Sequence, residues 1–287
     1  MKESCVSRTL GEISHNTRIK IYPDGTQKVL CCSSSCFKEK GWESRKGNST
    51  NVRESVEDVD EACVESLPSE RAARRAREHV RDLALCTAFT HFVTLTLDGA
   101  HIDRYDMSAI TRKLNAWLSN QVQRRGLAYI LVPERHKDGA IHFHGLFNDV
   151  LERSDSGTII PPGGGKPRKP RSKPQRAAWL ADGGRVVWNL PGWSLGFTTA
   201  LELVGDYSKA VGYVCKYIGK QGDKPGGRWY YSGGDLRRPA EFLADLDYHE
   251  LRAMPGAYEF SVLEARRSFV SVTLTPEQNG DLTFFGL

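Results

Sequence analysis

The clearest pattern in the chain is Phe89 to Leu97, where Phe89, His91, Val93, Leu95 and Leu97 alternate with Thr90, Thr94 and Thr96. Alternation at period two, in β-branched and aromatic residues, predicts a half-buried strand that Asp98-Gly99 ends as a turn. The period then changes. From Met107 to about Arg125, the residues Ile110, Leu114, Trp117, Leu118 and Val122 keep helical spacing, which gives one apolar face for docking on a sheet. Asp106 and Ser108 mark its start and Gly126 its C-cap. Two further apolar runs follow, Ala128–Pro133 and Ala140–Asn148, with Lys137-Asp138-Gly139 between them. That turn chemistry predicts an antiparallel hairpin.

The flanks read less strongly. Arg18–Tyr22 and Gln27–Leu30 enclose Pro23-Asp24-Gly25, a hairpin signal. Ser33–Val64 turns Ser-rich and then acidic without periodicity, as a linker does. Pro68 to about Thr87 predicts a helix with Ser69 as N-cap. Asp149–Arg176 carries Pro161-Pro162-Gly163-Gly164-Gly165 and then alternating proline and cations, the composition of a mobile basic insertion. Strands are expected at Arg185–Asn189 and Gly196–Leu203, then a helix from Asp206 or Ser208 to about Gly222. Beyond Arg237 the pattern gives a short helix around Glu241–Leu251 and a strand at Phe269–Leu274. The expected organisation is therefore a 1–85 accessory region, an 86–236 domain with its insertion at about 151–176, and a 237–287 extension.

Composition changes this picture only in places. The 287 residues are 39% hydrophobic and 26% charged, with a net charge of +5, as expected for a globular protein with polar extensions. No apolar run approaches the roughly 20 residues of a membrane span. Met1–Cys5 has no apolar h-region, so no secretory signal is expected, and the expected compartment is the cytoplasm. Seven cysteines at irregular spacing read as reduced thiols, since Cys31, Cys32 and Cys36 have no second pair at finger-like spacing. Lys166 is followed by Pro167, which excludes a Walker A loop. The basic block containing Lys166, Arg168, Lys169 and Arg171, and the string Arg228-Trp229-Tyr230, are candidates for phosphate contact and base stacking.

Two short strings carry candidate chemistry. In Ile141-His142-Phe143-His144-Gly145-Leu146 the two histidines fall at i and i+2, so on a strand they share one face. Glu134 ends the partner strand of the same hairpin. Two imidazoles and a carboxylate form a candidate site for Mg²⁺ or Mn²⁺ acting as a Lewis acid. In Tyr213-Val214-Cys215-Lys216-Tyr217-Ile218-Gly219-Lys220 the spacing Tyr-x-x-Lys occurs twice. On a helix Tyr213 and Tyr217 lie about 40° apart on one face, with Lys216 and Lys220 a turn apart beside them. Two phenols and two ammonium groups can cradle phosphate and supply a nucleophile. A cupin-like oxygenase also starts from His-x-His, but residues 146–150 supply no carboxylate of the kind that site requires.

In this order, Phe92–Leu97, Ile141–Leu146 and Tyr213–Lys220 resemble motifs one, two and three of the HUH endonucleases. The resemblance is to rolling-circle replication initiators of small single-stranded DNA phages and plasmids, of the two-tyrosine type. It covers about half the chain, roughly Phe89–Asp235, and Pro133–Gly139 also looks like the lead-in of such proteins. It implies an α+β fold, a central antiparallel sheet with helices packed on one side, related to the RRM arrangement. It also implies metal-dependent nicking of single-stranded DNA at an origin, with a 5′-phosphotyrosine link and a free 3′-hydroxyl. On this resemblance His142 and His144 are metal ligands with Glu134 the third, Tyr213 and Tyr217 are alternating nucleophiles, and a host helicase and polymerase are partners. A transposase or relaxase of the same superfamily, and a non-catalytic RRM-like nucleic-acid-binding module, remain open alternatives.

Overall fold

The computed structural model describes residues 13–38, 68–220, 222, 224–262 and 267–277. The chain divides into two compact units, Leu67–Arg238 and Met1–Ser66 with Pro239–Leu287. In chain order the elements are β1 (Ser14–His15), β2 (Thr17–Ile21), β3 (Gln27–Cys32), β4 (Phe37–Lys38), α1 (Pro68–Cys86), β5 (His91–Thr96) and α2 (Met107–Arg125). Then come β6 (Tyr129–Arg135), β7 (Ile141–Phe147), β8 (Ser154–Ile160), α3 (Lys173–Ala181), β9 (Arg185–Asn189), β10 (Thr198–Glu202) and α4 (Tyr207–Tyr217). The last are β11 (Tyr231–Gly233), β12 (Ala240–Ala244), α5 (Tyr248–Ala253), β13 (Tyr258–Val262) and β14 (Arg267–Leu274). This is the expected α+β class with a large antiparallel central sheet. Among the described residues, no helix is long and apolar enough to cross a membrane.

The central sheet has the order β11-β6-β7-β5-β10-β9-β8, antiparallel throughout. Alternation in β5 does what its pattern requires. His91, Val93 and Leu95 are buried, while Phe92, Thr94 and Thr96 on the other face are half-buried. Helix α2 lays Ile110, Leu114 and Leu118 against Val93, Leu95, Leu131 and Phe143. Each fully buried aliphatic side chain of this kind contributes about 1.5–3 kcal/mol as an upper estimate. Asp106 caps α2 by accepting from the backbone N–H groups of Ser108 and Ala109, and Gly126 ends it in the left-handed region at φ 70°. Helices α1 and α4 pack with Ile130, Val132 and Leu146, whose side chains alternate with those that meet α2.

The β6–β7 hairpin forms as expected, and β6 runs on through Pro133 to Arg135. The strand tolerates this proline because β11 pairs only with Tyr129, Ile130 and Leu131, so Pro133 meets a ladder on one side alone.

Four expectations are corrected. Asp149–Arg176 is not simply a mobile insertion: Ser154–Ile160 is the edge strand β8, pairing with β9 and burying Ile159 and Ile160. Pro161–Gly165 therefore punctuates ordered structure, and α3 follows with Ser172 as its cap and a proline in its first turn. Ser69 lies inside α1, which starts at Pro68, a residue suited to a first helical position. Helix α4 ends at Tyr217, because Ile218 already has φ −68° and ψ 116°. Residues 240–244 form a strand pairing with β2, and the helix begins only after the Asp247 cap.

The other unit holds a five-stranded sheet in the order β12-β2-β3-β14-β13, and the expected β2–β3 hairpin lies within it. Gly25, at φ 84°, allows the tight turn between them. Strands from both ends of the chain thus share one sheet. From residue 39 onward, the linker expected over Ser33–Val64 lies outside the described residues.

Candidate active site

Strand register builds the site. Glu134 lies directly opposite His142 in the β6–β7 ladder, and His144 is two residues further along the same face. The Oε2 of Glu134 is 3.0 Å from the Nε2 of each histidine, and the two Nε2 atoms are 2.8 Å apart. Three ligands occupying one face of an octahedron, each about 2.1 Å from the ion, are themselves about 3.0 Å apart. The three residues form one cluster whose ligand atoms all lie within 4.8 Å of one another, so the set fits a divalent ion with octahedral preference.

Protonation favours the same use. Burial, then the neighbouring imidazole of His142, lowers His144 to about 4. Burial, then His136, also lowers His142. Burial pushes the Glu134 carboxyl upward, but the Lys220 hydrogen bond and the two imidazoles outweigh it, and the net shift is downward. At neutral pH the set is two neutral imidazoles and one carboxylate, the forms that ligate metals. The Nδ1 of His144 is 3.0 Å from the Thr94 hydroxyl, which can hold the tautomer whose Nε2 lone pair is free. The Nδ1 of His142 is buried and has no hydrogen-bond partner. The His136 ring lies 4.3 Å from the His142 ring.

Helix α4 carries the tyrosines to this face. Asp206 caps it, and the Tyr207 hydroxyl donates to the carbonyls of Ala84 and Thr87 at the end of α1. Val211, Val214 and Cys215 are buried, leaving Tyr213 and Tyr217 on the side toward β7. The Tyr217 ring stacks on His144 at 4.2 Å and 19°. Tyr213 is 48% exposed and meets the edge of Phe92, itself stacked on His144. The Tyr217 hydroxyl donates to that of Tyr213 at 2.6 Å. Burial, then this hydrogen bond, raises the Tyr217 phenol above its ordinary range, so attack by it requires help in stabilising the phenolate.

The two lysines separate. Lys216 is exposed in the last turn of α4, whereas Lys220 lies beyond the helix and its Nζ donates to Glu134 Oε1 at 2.6 Å. The pair is therefore not repeated on one helical face, as the spacing alone predicts.

The candidate DNA contacts lie elsewhere. Lys166, Arg168, Lys169 and Arg171 are exposed on the segment after β8, four strands from β7, or roughly 19 Å at ordinary strand spacing. Arg228 is exposed with its guanidinium over the Tyr231 ring. Trp229 packs with the α1–α4 cluster, its indole nitrogen buried without a partner, and Tyr230 stacks on His79.

Thr94, Phe92 and Phe197 go unremarked by motif reading. Thr96 and Phe197 exchange both backbone hydrogen bonds, and Thr96 pairs with His142 on its other side. Glu134, His142, Thr96 and Phe197 thus form one row of side chains on one face of the sheet. Phe197 is 68% exposed. The signal available in sequence was the β5 alternation, which sets Thr94 and Phe92 on the face opposite Val93.

Residues 90–222 match the family model of replication-associated proteins of the ORF2 group. No curated protein and no solved structure matches the chain. The matched segment runs from the start of β5 past Lys220 and contains every residue of the triad and both tyrosines, and it is consistent with a replication initiator family.

Proposed function

We propose that this chain is a rolling-circle replication initiator of the HUH type, which nicks one strand of an origin and joins it to tyrosine. The observation that carries the reading is the stacking of Tyr217 on His144, which sets two hydroxyls beside a three-ligand metal face. His142, His144 and Glu134 hold Mg²⁺ or Mn²⁺, and the bound ion supplies Lewis-acid stabilisation of charge on the non-bridging phosphate oxygens.

This chain's own groups do the rest. The α4 helix holds a phenol in line with the scissile phosphate. A phenolic O–P bond forms as the P–O3′ bond breaks, the phenolic proton is lost, and the 3′ oxygen leaves as a hydroxyl after gaining a proton. The product is a 5′-phosphotyrosine link, and the 3′-hydroxyl primes a host polymerase while a host helicase unwinds the duplex. The second phenol is available to take up the strand end after a round of synthesis. Lys216, exposed beside the tyrosines, contacts the phosphate backbone, with Lys166, Arg168, Lys169, Arg171 and Arg228 contacting DNA further out and Trp229 and Tyr230 bordering its path. The setting is the cytoplasm of a host cell carrying a phage or plasmid.

The test is an adduct assay with origin single strand and Mn²⁺. Wild type is expected to give a denaturation-resistant protein–DNA band that chelator abolishes. The Tyr213→Phe, Tyr217→Phe double variant is expected to give none. An adduct that survives in the double variant would show that the nucleophile lies elsewhere.

A further inference from the structure

The repeat of Tyr-x-x-Lys suggests two equivalent lysines, and the fold makes them unequal. Helix α4 stops at Tyr217, Ile218 is buried, and its carbonyl accepts from Arg77 Nε at 2.9 Å. Gly219 then turns the chain at φ 72°, where a Cβ would sit 2.9 Å from the Cβ of Ala73. This turn needs glycine on two counts, conformation and space. Its result is that Lys220 points back to the sheet. Its Nζ bonds Glu134 Oε1 at 2.6 Å and lies 5.4 Å from the centre of the Tyr217 ring.

Glu134 has two oxygens with different partners. Oε2 faces both Nε2 atoms, while Oε1 is committed to Lys220. We infer that Lys220 is a positioning residue that keeps Glu134 a one-oxygen ligand, so that the coordination positions facing the DNA stay open. The inference rests on the metal site proposed above. Without Lys220, nothing described holds Oε1 away, and a carboxylate beside a divalent ion commonly binds through both oxygens. The added ligand and the lost positive charge both tighten ion binding, while the phosphate loses a position. A lysine whose role was to bind DNA would leave the ion untouched.

The two accounts differ in sign, and Mn²⁺ reports both quantities. With three protein ligands an octahedral ion keeps about three waters, and a two-oxygen Glu134 leaves about two. The full chain is titrated with Mn²⁺ by calorimetry, and water proton relaxation measures the waters on bound Mn²⁺. Lys220→Met is expected to bind Mn²⁺ at least threefold more tightly, to lose about a third of its relaxation enhancement, and to form adduct at least tenfold more slowly. Lys220→Arg, which keeps a donor on Oε1, is expected to match wild type in all three. Lys220→Ala serves as a second disrupting variant. Unchanged or weaker Mn²⁺ binding with unchanged relaxation in Met and Ala variants overturns the inference while leaving the metal site standing. If wild type shows no Mn²⁺ binding that His142→Ala removes, the metal site itself falls, and the inference with it.

Discussion

Gly145 follows the second histidine on β7, a strand paired on both sides, and its substitution by alanine should damage both fold and site. A Cβ there would lie 1.9 Å from the carbonyl oxygen of Ile130 and 2.8 Å from Leu131 Cδ2. Bringing the first contact to an ordinary 3.4 Å requires β6 and β7 to part by ~1.5 Å. Backbone provides the nearest atom, so no side-chain rotation relieves the clash. Overpacking costs about 1–3 kcal/mol, and the rigid partner puts this case near the upper end. For a unit of this size, about 3 kcal/mol corresponds to a fall in Tm of roughly 6–12 °C. The same displacement separates Glu134 from His142, three rows away in the ladder, by more than the ~0.2 Å that ligand geometry tolerates. Thermal unfolding by circular dichroism with and without Mn²⁺ reads both effects. A Gly145→Ala variant that unfolds within about 2 °C of wild type and keeps its Mn²⁺-induced rise in Tm would refute the reasoning.

Three other predictions concern separate features. Thr94→Val removes the hydroxyl at His144 Nδ1 and should weaken Mn²⁺ binding about 10-fold or more with little change in Tm, as measured by calorimetry. Phe197→Ala should cost about 1–3 kcal/mol of single-stranded DNA affinity by loss of base stacking, read by fluorescence anisotropy, with metal affinity unchanged. In the other unit, the backbone N–H of Asn16 and then His15 hold Asp245 below its usual range. Its contribution is therefore present above the ordinary aspartate value near 3.9 and is lost as pH falls through the lower folded value. Asp245→Asn should flatten the pH dependence of stability across that acid window in melts at successive pH values, and an unaltered acid limb would count against this assignment.

How much was legible depended on which residues signalled locally. The triad was readable because strand alternation puts His142 and His144 on one face, and because Lys137-Asp138-Gly139 implies a tight hairpin ending near Glu134. What alternation could not supply was the register that sets Glu134 opposite His142. The tyrosine pair followed from helical geometry alone, whereas its stacking on His144 depends on how α1 and α4 pack, a tertiary matter. Lys220 was misplaced because two identical spacings look like one continuing helix, and Gly219 ends that continuity. The β8 strand was missed because prolines and glycines downstream of Ile160 dominated the composition of the window. Phe197 carries no motif, and only its pairing with Thr96 brings it into the row of the site.

The sheet built from both chain ends has a consequence for how the protein is made. Strand β14 pairs with β3 across 237 residues, Cys32 to Phe269. Closing so long a loop from a disordered chain costs ~3 kcal/mol more than closing one of ten residues. The intervening unit shortens that search once folded. The Arg237 backbone N–H donates to the Thr87 hydroxyl just past the end of α1, a helix of 19 residues and therefore ~28 Å long that begins at Pro68. Its two exits are thus held about one helix length apart. Synthesis then has a natural order: the segment bearing the triad and tyrosines can complete on the ribosome, while β2 and β3 wait for strands translated last. A stop codon shortly after Arg238 would strip β14 from the middle of the five-stranded sheet yet leave every residue of the candidate active site encoded.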